Sequence, residues 1–252
     1  MTVFIIRRLM QAALVIFAMS LIVFVGISVV SNPVDILINP DFTQEEYERA
    51  VRALGLDRPL HEQYFVFLGN ALRGDLGHSF VFGQPALQLI IQRMPATLEL
   101  AFVSLIMAIV LGIPLGVYAG LKPDSVAGKT IMGGSILGFS LPTFWVGIML
   151  IMIFAVELGW LPSTGRGPTR ELFGIHVSFL TWDGLKYLFL PALNLALTNI
   201  SLVIRVARAG TREAALQDYV RFARAKGLSG NRIVLVHILK NIMIPIVTIL
   251  GL

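Results

Sequence analysis

The sequence predicts an all-α integral membrane protein, a multi-span helical bundle with a helical insert between its first and second spans. Three observations predict it. The 252 residues are 56% hydrophobic and only 14% charged, with mean hydropathy +0.80, whereas a soluble domain carries about 25% charged residues. Uncharged runs of 18 to 27 residues recur along the chain, and about 20 apolar residues in a helix cross a hydrocarbon core. The charge between those runs alternates in sign bias, as it does when successive loops face opposite sides of a membrane.

Arg7 and Arg8 precede the first run, Leu9–Val30, which is 22 residues long. At 1.5 Å per residue it spans about 33 Å. A cleavable signal sequence has a shorter apolar region, about 7–15 residues, and a small-x-small cleavage site, so residues 1–30 read as a short tail and a retained span. Residues 31–95 form a polar insert with helical patterns of its own. Thr43-x-x-Glu46 is a capping box, after which Tyr47, Ala50, Val51 and Leu54 share a face up to Gly55. A second amphipathic stretch covers about Leu60–Leu72, and Arg73–Ser79 is a glycine-punctuated turn. His61 and His78 lack metal-ligand spacing with any other candidate, so they read as surface residues.

Residues 96–252 form the core. Pro95 is suited to the first turn of the second span, whose uncharged run is Leu100–Leu121 and which carries Gly112-x-x-x-Gly116. Such spacing lets helices approach closely, although it also arises by chance. Glu99, near the start of this span, is a candidate for the translocation pathway because ionisable residues in membranes are usually functional. One turn from the end, it can equally reach the interface. Gly128-Lys129-Thr130 imitates the end of a phosphate-binding loop, but Pro123 stands where the first glycine belongs and no strand precedes it. No nucleotide site, cofactor or metal is therefore expected in this chain.

The third run, Thr130–Val156, has 27 residues and contains Pro142, which predicts a kink. A loop over 157–186 includes Gly159-Trp160-Leu161-Pro162, and Trp160 suits a membrane interface. The fourth run, Tyr187–Ile204, carries Asn194, Thr198 and Ser201 along one side. This polar stripe either lines a pathway or bonds neighbouring helices. A fifth run, Asn241–Leu252, is 12 residues long, and the chain stops inside it. With the N-terminus inside and four complete spans alternating, the inside loops hold twelve basic and three acidic residues, and the outside loops hold eight and twelve. The positive-inside rule then places 205–240 in the cytoplasm and 31–95 and 158–186 outside. The net charge of +5 needs no nucleic-acid partner; the lipid bilayer is the first partner.

The cytoplasmic stretch 209–240 holds a short polar helix pattern. Asp218 suits a helix start and Gly227 a helix stop. Tyr219, Phe222, Ala223 and Lys226 fall on one face, and Arg221, Arg224 and Ala225 on another. The result is a docking surface with a basic border, closed by Leu228.

The sequence Asp218–Ser229, D-Y-V-R-F-A-R-A-K-G-L-S, followed by H-I-L-K-N-I-M-I-P, resembles the cytoplasmic coupling loop of ABC-transporter permeases. It is most similar to the dipeptide/oligopeptide/nickel importer subfamily. The resemblance extends to R-R-L near the start, Gly74–Gly77, R-M-P-A-T-L-E-L at 93–100, Gly159–Pro162 and Leu190-Pro191-Ala192. The wider family's motif begins Glu-Ala-Ala; here Arg221, Phe222 and Ala223 stand at those positions, with Gly227 in place and Pro245 later. Both departures fit the peptide-type subgroup, and the contact made by the usual Glu is not carried over.

The resemblance implies the type I importer fold, normally with six spans, so the C-terminal spans are expected to be missing from this sequence as a fragment or to come from elsewhere. It implies a permease subunit rather than an enzyme, forming half of a pathway with a second homologous permease. Two cytoplasmic ATPase subunits would drive it and a periplasmic substrate-binding protein would deliver peptides, in the bacterial inner membrane. Nickel, glutathione and oligosaccharide importers share these motifs. An ion-coupled transporter or channel is the rival class, but it normally needs charges deep in its spans, and the four complete runs contain none. A membrane enzyme ranks last, for want of a catalytic cluster.

Overall fold

The computed structural model describes residues 1–30, 43–53, 55–79, 82–172 and 174–251, without the side chains of 27–30, 46, 47, 50 and 53. The Glu46 half of the capping box, and the face assigned to Tyr47, Ala50 and Leu54, lie outside the described residues. The chain divides into two units, Met1–Arg93 and Met94–Leu252.

The first unit contains α1 (Thr2–Val30), α2 (Gln44–Ala53) and α3 (Leu60–Leu72). Helix α3 packs on α1 through Tyr64, which is buried against Phe17 and Phe24. His61 and His78 are exposed, as a surface role requires.

Helix α4 (Ala86–Leu121) continues into the second unit, which also holds α5 (Val126–Ser140), α6 (Thr143–Glu157), α7 (Trp182–Leu216), α8 (Asp218–Ala225) and α9 (Gly230–Leu250). The last turns of α6 and residues Ile233–Ile238 of α9 are π-helical. Pro95 lies inside α4 rather than at its start. Proline removes a single ladder bond, and a long helix with apolar neighbours on both sides continues through it. A two-stranded antiparallel hairpin, β1 (Arg170–Leu172) with β2 (Ile175–Val177), adds strand to a loop that the sequence leaves irregular.

Helix α7 is the axis of this unit, and its neighbours approach it through glycine. A Cβ on Gly112, Gly116 or Gly120 of α4 would lie 2.8, 2.6 or 2.7 Å from Val203, Ala207 or Thr211 of α7, respectively. These contacts advance by four residues on both helices in the same direction, so α4 and α7 run parallel. Gly138 of α5 meets Ser201, and Gly147 of α6 meets Asn194, so the α5–α6 segment runs antiparallel to α7. The chain therefore returns across the membrane through α5 and α6, as parallel neighbours with short ends require.

That return is sharply broken. The two helices meet at 107°, much more than a kink. Leu141 is extended (φ −78°, ψ 137°) and Pro142 follows it outside the helix. The proline ring disfavours the α conformation in the residue before it, so α5 ends at Ser140.

Glu99 pins the hairpin loop to α4. Its carboxylate is buried and accepts from the backbone N–H groups of Ser178 and Phe179, while Arg166 Nη2 stands 3.4 Å from the other oxygen and also donates to the carbonyl of His176. Thr181 then caps α7, accepting from Gly184 N at 3.0 Å and donating to Pro168 O at 2.9 Å.

Two outcomes follow from this packing. Gly116→Leu is expected to cost about 1–3 kcal/mol or more through overpacking, lowering the thermal midpoint of the purified full-length permease. Gly133→Ala, with nothing within 4 Å, is expected to be neutral or stabilising; equal destabilisation would contradict the glycine contact. Glu99→Ala is expected to expose the 164–181 loop to limited proteolysis, because removing the carboxylate leaves two backbone donors without an acceptor and Arg166 without its counter-ion, at about 3 kcal/mol or more. Glu99→Gln keeps an acceptor and should be milder. Unchanged cleavage in Glu99→Ala would remove the anchoring role.

Candidate functional site: the α7–α8–α9 end and its connections

The stretch read as a docking surface forms α8, an eight-residue helix set against α7 and α9. Its start differs from expectation. Gln217 occupies the N-cap position without a side-chain cap, and Asp218 is the first helical residue. There Asp218 faces the positive end of the helix dipole and stands 3.6 Å from Arg221, with both side chains exposed.

The helix end matches expectation closely. Gly227 has φ +74°, a conformation that costs glycine little. Gly227 N donates to Arg224 O at 2.9 Å, and Leu228 N donates to Ala223 O at 3.2 Å. This pair of bonds is a Schellman motif, and its customary apolar contact is present: Ala223 is buried and Leu228 packs against the same cluster.

The structure divides the proposed face. Ala223 turns inward together with Val220, which is fully buried, into a cluster with Ala207, Ala214, Ile233, Ile238, Ile242 and Ile246. Tyr219 and Phe222 remain outward at 39% and 61% exposure. Lys226 Nζ stands 4.5 Å over the Phe222 ring, and Arg221, Arg224 and Ala225 are exposed. Val220 went unassigned in the sequence, although its i, i+3 spacing to Ala223 and the apolar Leu228 beyond the stop mark an inward edge. The outward surface is therefore aromatic and basic, on a helix fixed by its other side.

The polar stripe of α7 is also divided. Asn194 lines a cavity of about 290 Å³ with Gly147, Ile151, Pro162, Tyr187 and Pro191, and its buried Oδ1 has no partner. Ser201 is buried instead, donating to Leu197 O at 2.8 Å and packing at Gly138. Thr198 is half-buried between them. Glu99 does not join this stripe, being committed to the loop anchor. Among the described residues no three His, Asp or Glu side chains gather as metal ligands.

Helix α7 carries on through Arg205, Arg208 and Arg212 to Leu216, so the beginning of the 209–240 stretch is a continuation of a span. The guanidinium of Arg205 stacks 4.3 Å over Phe139 and donates from Nε to Ser201 O, which ties this end to α5. Helix α8 and the α7 span are thus one continuous body.

Comparison with known proteins agrees with this architecture. Residues 112–252 match the family described as "Binding-protein-dependent transport system inner membrane component", and residues 1–101 match its N-terminal region. The oligopeptide transport system permease protein AppB of Bacillus subtilis is 35% identical over 254 residues, covering 100% of this chain and 78% of that protein. The di/tripeptide transport system permease protein DppB of Pseudomonas aeruginosa is 36% identical over 265 residues, covering 99% and 78%. The dipeptide transport system permease protein DppB of Escherichia coli is 33% identical over 266 residues, with the same coverage. With its apolar helices, its glycine-packed core and matches along its length, the chain belongs to the binding-protein-dependent transport system inner membrane components, as a multi-pass membrane permease.

Proposed function

We propose that this chain is the transmembrane permease subunit of an ATP-driven peptide importer. It forms half of the pathway beside a second permease, receives peptides from a periplasmic binding protein, and is driven by two cytoplasmic ATPase subunits. The observation that carries the reading is the two-sided build of α8. Its outward side offers Tyr219, Phe222 and Lys226 to a partner, while Val220, Ala223 and the Schellman turn fix it to α7 and α9. A force applied to the outward side is transmitted to the spans as rigid-body motion rather than absorbed locally. The peptide substrate rests on the names of the relatives.

The charge balance supports an inner-membrane orientation with a cytoplasmic N-terminus. Because α4 and α7 run parallel and the α5–α6 segment carries the chain back, the 122–129 connector and the basic stretch 205–240 fall on one side, and alternation of the spans assigns Arg7 and Arg8 to that side too. That side holds +9 against −4 on the other, and the positive side is cytoplasmic.

Interface energy concentrates in a few anchors. Tyr219→Ala with Phe222→Ala is therefore expected to reduce the ATPase subunit retained on the purified full-length complex on the order of tenfold or more, with membrane levels of the permease unchanged. Ala223→Asp would damage the permease's own core and is the poorer test. Wild-type retention in the double variant would leave α8 a positively charged connector only. For orientation, Ser163→Cys and Ser229→Cys, both at exposed positions, can be probed with an impermeant thiol reagent on spheroplasts. Labelling of position 163 and protection of position 229 are expected; the reverse pattern would invert the topology.

A further inference from the structure

Helix α3 belongs to the insert that the sequence places in water, yet its contacts lie at membrane level. Tyr64 is 4% exposed and packs edge-on against Phe17 and Phe24 of α1, with ring centroids 5.9 and 5.4 Å away. Its hydroxyl stands 2.8 Å from Ser20 Oγ. Ser20 is close to the middle of the uncharged run Leu9–Val30. It lies about 18 Å along the helix from Arg8, within a hydrocarbon core about 30 Å thick.

The polar chemistry of the contact suits such a place. Ser20 Oγ donates to Phe17 O at 2.8 Å, so the Tyr64 hydroxyl is the donor to Ser20, and each hydroxyl proton has an acceptor. Unpaired polar groups are costly in hydrocarbon. Phe67 then stacks on Phe24, 6.0 Å between centroids, one turn further along both helices toward the remote end of α1.

The exposed side of α3 is mixed: His61 and Glu62 stand at its start, and Val66 lines a cleft with Arg52, Arg58, Asn70 and Asp75, whereas Phe65 does not line that cleft. Phe65, Val66 and Leu72 are 64%, 50% and 82% exposed. The ten residues from Gln63 to Leu72 carry no charge, whereas Asp57, Arg58 and Glu62 stand before them and Arg73 and Asp75 after them. An uncharged stretch of this length is too short to span and typical of interfacial or re-entrant segments. Charges at both ends can reach headgroups while the body stays in the acyl boundary.

We propose that α3 is a membrane-seated helix, lying in the leaflet remote from Arg7 and Arg8, with Tyr64 locked onto α1 and Phe65 turned to lipid acyl chains. The insert is therefore tethered to the bilayer at its middle, and its remaining segments start from a fixed height above the membrane. The occupant of the exposed face is lipid because the opposite face of the same helix is bound to a span at acyl depth.

The test uses the full-length permease complex in nanodiscs, with a single labelled cysteine at Phe65→Cys or Glu48→Cys carrying the fluorophore NBD. The last position, exposed on α2, reports the aqueous insert. Acyl-dibrominated phosphatidylcholine is the lipid quencher and iodide the aqueous one. Position 65 is expected to be blue-shifted, quenched at least twofold by the brominated lipid and shielded from iodide, with the opposite at position 48. Iodide access at 65 equal to that at 48 would overturn the proposal. Shielding from both quenchers would also overturn it, assigning the face to another protein. Neither readout depends on transport, so the outcome is separable from the importer assignment.

Discussion

Close approach of helices to α7 is the constraint on which the second unit depends. In a bilayer, apolar side chains gain little by leaving lipid for a neighbouring helix, so association relies on tight van der Waals contact and on satisfied polar groups. Gly112, Gly116 and Gly120 let α4 lie against the Val203, Ala207 and Thr211 ridge. Gly138 and Gly147 admit α5 and α6, and Gly210 of α7 itself makes room for Ile242 of α9. These four helices are thus set against α7 by the same device, and the parallel and antiparallel senses that result determine how the chain crosses the membrane.

The ends of α7 are tied down differently. At one end charge-assisted bonds hold the hairpin loop, from backbone donors to Glu99 and from Arg166 to Glu99 and the His176 carbonyl, while Thr181 closes the helix start. At the other end the span does not stop at the membrane but continues as helix to Leu216, turns at Gln217 and clamps α8 by apolar burial. The first arrangement is polar and local; the second is apolar and shared by α7, α8 and α9. The second kind holds its helices as one piece, because a buried cluster of Val220, Ala223, Ile242 and Ile246 has few alternative packings.

The candidate site was partly legible in the sequence. Gly227 was, because a left-handed stop has few substitutes. The outward Tyr219 and Phe222 were as well. Ala223 was grouped with them because a helical wheel gives angular neighbours without saying which angle faces the protein. Asn194, Thr198 and Ser201 do share one side of α7, but that side meets α6 at Asn194 and α5 at Ser201, so one stripe serves a cavity and a packing contact.

The sequence by itself determined the membrane class, the positions of the apolar helices and the bias of charge between alternate loops. These follow from composition and run length, which reflect the thickness and low dielectric of the bilayer. It also determined the capped end of α8, since turn chemistry is local. Tertiary structure alone decided that α5 and α6 meet at 107°, that Glu99 anchors a loop, and that Tyr64 meets Ser20. Each of these depends on partners 44 to 80 residues away or on the angle between two helices, and periodicity along one segment contains neither.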